Sequence, residues 1–85
     1  MKLLQIHTIE PERDRTGHTC VGKFDFELDD DVRLYKLRLL RMRNGKYRIS
    51  APFVGQNLAA TFSPDLAERM TRMALEAIGV PANDR

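Results

Sequence analysis

The chain has 85 residues, which suffice for one domain and leave no room for a second hydrophobic core. It shows no apolar run long enough to cross a bilayer and no pattern of a secretion signal, and its single cysteine cannot form an internal disulfide. We therefore expect one cytoplasmic domain with no membrane insertion. Because so small a domain buries only about 60–65% of its unfolded surface, a homodimer is expected.

The net charge of +2 conceals a strong separation of charge along the chain. Residues 1–31 carry four basic and eight acidic side chains, whereas residues 32–48 carry seven basic side chains and no acidic one. Half of the 14 Lys and Arg residues thus lie in one short segment. Such a concentration produces a local positive field that favours anionic partners, among them nucleic acid.

Two strand patterns precede this basic segment. Residues 1–9 are rich in apolar and β-branched side chains, and residues 10–17 are charged and contain Pro and Gly, as in a loop. Residues 18–28 alternate between apolar and polar positions, with Phe24 and Phe26 on the apolar face. These two aromatic side chains are the expected centre of the core.

Residues 32–43 and 46–52 predict a β-hairpin that turns at Asn44-Gly45. Asn-Gly is the dipeptide best suited to a two-residue type I′ turn, in which both central residues have positive φ. We therefore expect a two-residue loop at this position.

This turn predicts the register and the faces of the hairpin. Leu40 would face Ile49 and Arg41 would face Arg48, and opposed residues share a face. One face of the ribbon would then be apolar. The other would carry four cations: Arg41, Arg43, Lys46 and Arg48.

The alternation slips within the first arm of the hairpin. Tyr35, Leu37 and Leu39 fall on the opposite face from Leu34 and Leu40. Either a β-bulge reorients the strand, or both of its faces are covered. In the second case a subunit partner would pack over Tyr35, Leu37 and Leu39, and the sequence leaves both alternatives open.

A helix is predicted over residues 64–78. Ser63 suits the N-cap, Pro64 suits the first helical position, and Gly79 suits the left-handed end. Apolar residues repeat at helical spacing and form a stripe that we expect to cover the sheet: Leu66, Ala67, Met70, Met73, Ala74, Ala77 and Ile78. The predicted fold class is α+β, an antiparallel β-meander of about four strands with one C-terminal amphipathic helix packed on one face.

Three segments resemble the SpoVG family, small bacterial regulators of septation and sporulation genes that bind nucleic acid. LYKLRLLRMRNGKYRISAP is similar to the family's strand, Asn-Gly, strand and Pro signature, and VGKFDFELDDDVRLYKL is similar to its second strand and acidic turn. ATFSPDLAERMTRMALEAI is similar to its Pro-containing segment and C-terminal helix. The resemblance covers roughly residues 20–78 and implies a dimer built by strand pairing and binding of DNA or RNA. Two features depart from the family pattern: the segment after the hairpin is shorter and more apolar, and the hairpin is more basic near its turn.

The basic hairpin is the candidate functional site. Arg binds phosphate in a bidentate manner and β-ribbons dock on nucleic acids, so we expect backbone contacts with weak sequence preference. Seven residues are expected to make these contacts: Arg41, Arg43, Lys46, Arg48, Arg33, Lys36 and Arg38. The simpler interpretation is that cations keep an exposed strand soluble, but a protective surface would mix both signs of charge. The alternative function is a protein–protein interaction or assembly module whose basic face docks on an acidic partner.

His7, His18 and Cys20 are the remaining candidates for chemistry. His18 and Cys20 would share a strand face, but no paired CxxC or HxxxH spacing accompanies them. Exposed or capping histidines and a small buried thiol are therefore the expected interpretation. With no glycine-rich phosphate loop and no catalytic triad in the sequence, we expect a non-enzymatic protein with no cofactor, metal or small-molecule substrate.

Overall fold

The computed structural model describes residues 1–80, which form seven strands and one helix. Their bounds are β1 Lys2–His7, β2 Glu12–Arg13, β3 Thr19–Glu27, β4 Arg33–Arg41, β5 Tyr47–Ser50, β6 Phe53–Val54, β7 Asn57–Leu58 and α1 Pro64–Ile78. Strands β1, β3, β4 and β5 form an antiparallel meander in that order, β2 pairs with the start of β3, and β6 and β7 form a separate hairpin. The predicted α+β class is confirmed. Within residues 1–80, no helix combines the length and apolar character needed to cross a membrane.

The helix begins and ends where the local signals predict. Ser63 Oγ accepts a hydrogen bond from the backbone N–H of Leu66 at 3.2 Å, and Pro64 occupies the first helical position. Gly79 ends the helix in the left-handed conformation, with φ of 77°. Both ends therefore satisfy backbone groups that a helix leaves unpaired.

The buried face of α1 differs from the predicted stripe. Thr71 and Leu75 are buried, whereas Ala77 and Ile78 are exposed. Thr71 Oγ1 accepts a hydrogen bond from the backbone N–H of Ile49 at 2.8 Å and donates one to the carbonyl one turn earlier at 2.7 Å. This bond ties α1 to the edge strand β5 and buries Thr71. The prediction is wrong for Ala77 and Ile78, which lie exposed in the last turn of the helix.

The hairpin turn has three residues rather than two. Gly45 N–H donates to the carbonyl of Met42 at 2.9 Å, and Met42 N–H donates to the carbonyl of Lys46 at 2.7 Å. Gly45 has φ of 85°, whereas Asn44 is not among the residues with positive φ, so the type I′ prediction is wrong. Asn44 instead accepts the N–H of Lys46 through its side-chain Oδ1 at 3.0 Å, a bond that favours the alternative loop.

The extra loop residue shifts the register of the hairpin by one. Leu40 faces Arg48 and Arg41 faces Tyr47. A shift of one residue moves the side chains of a strand to the opposite face of the sheet. Arg41 therefore lies on the sheet face that packs against α1, although α1 does not cover Arg41 itself. Arg48 lies on the other face, beside Leu40. The predicted single face of four cations is therefore wrong.

A β-bulge in β4 accounts for the slipped alternation. Between the two residues of β4 that pair with Phe26 and Phe24, β4 contains one residue more than β3 does between Phe24 and Phe26. Lys36 lies in this interval with φ of 57°, and its N–H donates to Asp25 Oδ1 at 2.8 Å. The bulge returns Leu37 to the core face, which confirms the first alternative. The second also holds in part, because Leu40 on the opposite face of β4 is only 4% exposed.

The core lies between the sheet and α1. Its buried side chains are Phe24, Phe26, Leu37, Leu39, Ile49, Ala51, Met70, Ala74 and Leu75. The prediction that the two phenylalanines lie in the core is confirmed. Leu37 and Leu39 are 2% and 0% exposed, so their predicted contact with a second subunit is wrong, because the chain's own helix covers them. Tyr35, the third residue of that prediction, is exposed.

Candidate nucleic-acid interface

Four exposed cations surround the turn of the hairpin: Arg41, Arg43, Lys46 and Arg48. We call them the hairpin cluster. None of them forms an ion pair with another residue in the range 1–80. Because Arg41 and Arg48 lie on opposite faces, the cluster surrounds the end of the ribbon instead of lining one side of it.

Arg43 extends toward the loop between β2 and β3. A Cβ atom built on Gly17 would lie 2.9 Å from the Nη2 atom of Arg43, so the guanidinium packs directly over the glycine. Gly17 also has φ of 87°, a conformation that L side chains rarely adopt. The loop thus helps to position one cation of the cluster.

Arg38 belongs to the predicted set of phosphate contacts but is only 6% exposed. Its guanidinium donates to Asp14 Oδ1, to Ser50 Oγ at 3.1 Å, and to the carbonyl of Ala51 at 3.1 Å through Nε and 2.9 Å through Nη2. The ring centroid of Phe53 lies 4.7 Å from its Cζ. Since these partners are all internal, the prediction that Arg38 contacts phosphate is wrong.

The ion pair with Arg38 withdraws Asp14 from the surface. The Asp14 side chain is 7% exposed, and it also accepts the hydroxyl of Thr16 at 2.7 Å and the backbone N–H of Thr16 at 3.1 Å. Burial acts to raise the pKa of Asp14, but these hydrogen bonds outweigh burial and hold the pKa below its ordinary value. The loop that contacts Arg43 therefore presents no exposed carboxylate from Asp14 to offset the hairpin cluster.

The other two predicted contacts lie toward the opposite end of β4. Arg33 donates through Nε to Glu27 Oε1 at 3.0 Å, and Lys36 occupies the bulge. At the usual rise of a strand, the backbone of Arg33 is roughly 25 Å from that of Arg41. The structure thus brings together four of the seven predicted residues and separates Arg33, Lys36 and Arg38 from them.

Two clefts flank Arg48, and sequence reasoning missed both. One has a volume of about 290 Å³ and is lined by β5 together with the segment that leads into α1. The other has a volume of about 300 Å³ and lies between the hairpin turn and the first turns of the helix. Their walls come from segments far apart in sequence, so no local pattern could reveal them.

The three candidates for metal or nucleophile chemistry have separate environments. His7 Nε2 lies 2.9 Å from Asp25 Oδ2, and Cys20 Sγ donates to the carbonyl of Gly22 at 3.6 Å. Burial raises the pKa of the Cys20 thiol. His18 Nδ1 is buried and lacks a hydrogen-bond partner among the described residues, and no group of three or more His, Cys, Asp or Glu suited to a metal occurs within residues 1–80.

Comparison with known proteins identifies no relative: no family model matches the chain, and no match was found among curated proteins or solved structures. The resemblance to the SpoVG family therefore stays a prediction from the sequence. The geometry of the hairpin cluster and its clefts is the basis for a functional proposal.

Proposed function

We propose that the protein is a non-enzymatic regulator that binds nucleic acid by holding phosphate groups with the hairpin cluster. The observation that supports this is the set of four exposed cations that lack ion-pair partners within residues 1–80. Guanidinium groups match phosphate oxygens with paired donors. Because such contacts are made to the backbone, binding depends weakly on base sequence.

The observed register favours a ligand that surrounds the end of the hairpin. Arg41 and Arg48 lie on opposite faces of the ribbon, so a flat surface docked on one face would leave part of the cluster unused. A strand that passes around the turn presents phosphates to both faces. A duplex groove wide enough for a β-ribbon does the same.

Four phosphate contacts per chain predict a measurable salt dependence. The slope of log K against log salt concentration is expected to be about −3.6 for duplex and about −2.8 for single strands. If two chains of the expected homodimer contact one ligand, the duplex slope becomes about −7. Light scattering of the complex gives the number of chains needed to interpret the slope.

The decisive experiment replaces Arg41, Arg43, Lys46 and Arg48 together with Ser and measures the binding of a fluorescent oligonucleotide by anisotropy. We expect binding to be lost and thermal unfolding to change little, because these side chains are exposed. A matched control removes the same charge from exposed positions outside the cluster: Lys2, Arg33, Arg69 and Arg72. Equal binding by the wild type and the cluster variant, or an equal loss in the control, contradicts the assignment.

The alternative function is docking of the same cluster on an acidic protein surface. That interpretation predicts no binding of random oligonucleotides at physiological salt, so titration at two salt concentrations separates the two functions.

The proposal also includes a reducing compartment such as the cytoplasm, since Cys20 is a free and buried thiol.

A further inference from the structure

We infer that the cleft between β5 and the segment before α1 receives one unstacked nucleobase, which makes single-stranded nucleic acid the preferred ligand. We call it the base cleft. It has a volume of about 290 Å³, and Arg48 of the hairpin cluster lies on its wall. The inference rests on the proposed function, because the phosphate of the same nucleotide would be held by that cluster.

The walls of the base cleft suit the faces of a planar ring. Leu40 and Met42 contribute from the end of β4, and Leu58 and Phe62 contribute from the segment across from it. Apolar and aromatic side chains stabilise an unstacked base because every base presents an apolar face. A site that bound phosphate alone would gain nothing from such walls.

Hydroxyl groups of the base cleft can match the polar edge of a base. Ser50 Oγ accepts a hydrogen bond from Arg38, so its own proton is available to a ligand. Thr16 Oγ1 donates to Asp14 and keeps lone pairs that can accept. Base edges carry both donors and acceptors, so this pair of hydroxyls complements a base better than it complements a purely apolar ligand.

Arg48 connects the base cleft to the hairpin cluster. It lines both clefts, is exposed, and has no ion pair with any residue in the described range. A phosphate held by Arg48 leaves the attached base beside the cleft. In a single strand that base turns in freely, whereas in a duplex it must first be unpaired and unstacked.

The test compares a short thymidine strand with an abasic strand of the same length, which carries the same phosphates but no bases. Anisotropy at one salt concentration should show roughly 5- to 150-fold tighter binding of the base-bearing strand, the gain expected when one base stacks on an aromatic side chain. Equal affinity for the two strands overturns the base cleft and leaves phosphate binding intact. Binding of neither strand overturns both the cleft and the proposed function.

A variant that fills the cleft locates the effect. Ala60→Phe places a ring on the cleft wall and should reduce the affinity for the thymidine strand to that for the abasic strand, whose own affinity should not change. Ala59→Phe is the matched control, because Ala59 is exposed and does not line the cleft. If Ala60→Phe loses affinity for both the thymidine strand and the abasic strand, or for neither, the assignment of the base cleft is contradicted.

A second variant covers the case in which Ala60→Phe does not fold, as judged by circular dichroism. Thr61 contributes a third hydroxyl to the wall of the base cleft, and Thr61→Val keeps the shape of this exposed residue while removing that hydroxyl. We expect the affinity for the thymidine strand to fall roughly 2- to 12-fold, with no change for the abasic strand. Parallel changes for the two strands would show that this wall of the cleft does not contact the base.

Discussion

Replacing Arg38 with Met tests the buried ion pair that removes one cation from the predicted site. Met keeps much of the apolar stem of the side chain but lacks the guanidinium. The substitution leaves the Asp14 carboxylate, whose side chain is 7% exposed, without its cation. It also removes both hydrogen bonds from Arg38 to the carbonyl of Ala51.

The expected loss of stability follows from burial. Removing one partner of a buried ion pair costs about 3–5 kcal/mol, because the other charge stays buried without compensation. At about 0.05–0.15 kcal/mol per residue, a domain of 85 residues has a free energy of unfolding of about 4–13 kcal/mol. The substitution should therefore remove a large part of the total stability and lower the Tm by at least about 12 °C.

Urea unfolding followed by circular dichroism measures this loss for Arg38→Met, Asp14→Asn and the double variant. The two single changes should be non-additive by about 1–3 kcal/mol, since both remove the same interaction. Arg48→Met is the control, because Arg48 is exposed and its loss should change the free energy of unfolding by no more than about 0.5 kcal/mol. If Arg38→Met lowers the free energy of unfolding by less than about 1 kcal/mol, the reasoning is refuted and Arg38 must be counted among the exposed cations.

Three further predictions concern pH, the contact between helix and sheet, and the bulge. The pKa values of Asp14 and Asp25 are held below their ordinary values because hydrogen bonds outweigh the upward effect of burial. The stability that these two carboxylates contribute is present above the unfolded pKa of about 3.9 and is lost as the pH falls through the folded pKa. The Tm should therefore fall on acidification below the unfolded pKa. A Tm that does not change with pH there would contradict the prediction. Thr71→Val leaves the buried N–H of Ile49 without an acceptor and should cost about 1–3 kcal/mol by urea unfolding, whereas Thr71→Ser should cost less. Lys36→Gly relieves a positive φ and should raise the free energy of unfolding by up to about 1 kcal/mol; a decrease would contradict the bulge geometry.

The sequence by itself determined the elements whose signals act over a few residues. Ser63, Pro64 and Gly79 operate within one turn of the helix, and the predicted and observed bounds of α1 agree. The alternation of residues 18–28 correctly placed Phe24 and Phe26 in the core, because a strand buried on one face repeats every second residue.

Tertiary structure decided the register of the hairpin. Asn44-Gly45 is compatible with a loop of two residues or of three, and the two loops differ in register by one. The observed register places Leu39 opposite Ile49, so that α1 covers both of them together with Leu37. The choice depends on burial beneath a helix that lies later in the chain, and a local turn signal contains no information about that helix.

Tertiary structure also decided which cations form the candidate site. The sequence showed that residues 32–48 hold seven basic side chains without an acid, but charge counting cannot show which of them are exposed. Arg38 is buried because Asp14, 24 residues earlier in the chain, lies against it in the fold. Ion pairing depends on distance in space rather than on separation along the chain, so only the folded chain reduced the candidate site to the four exposed cations around the turn.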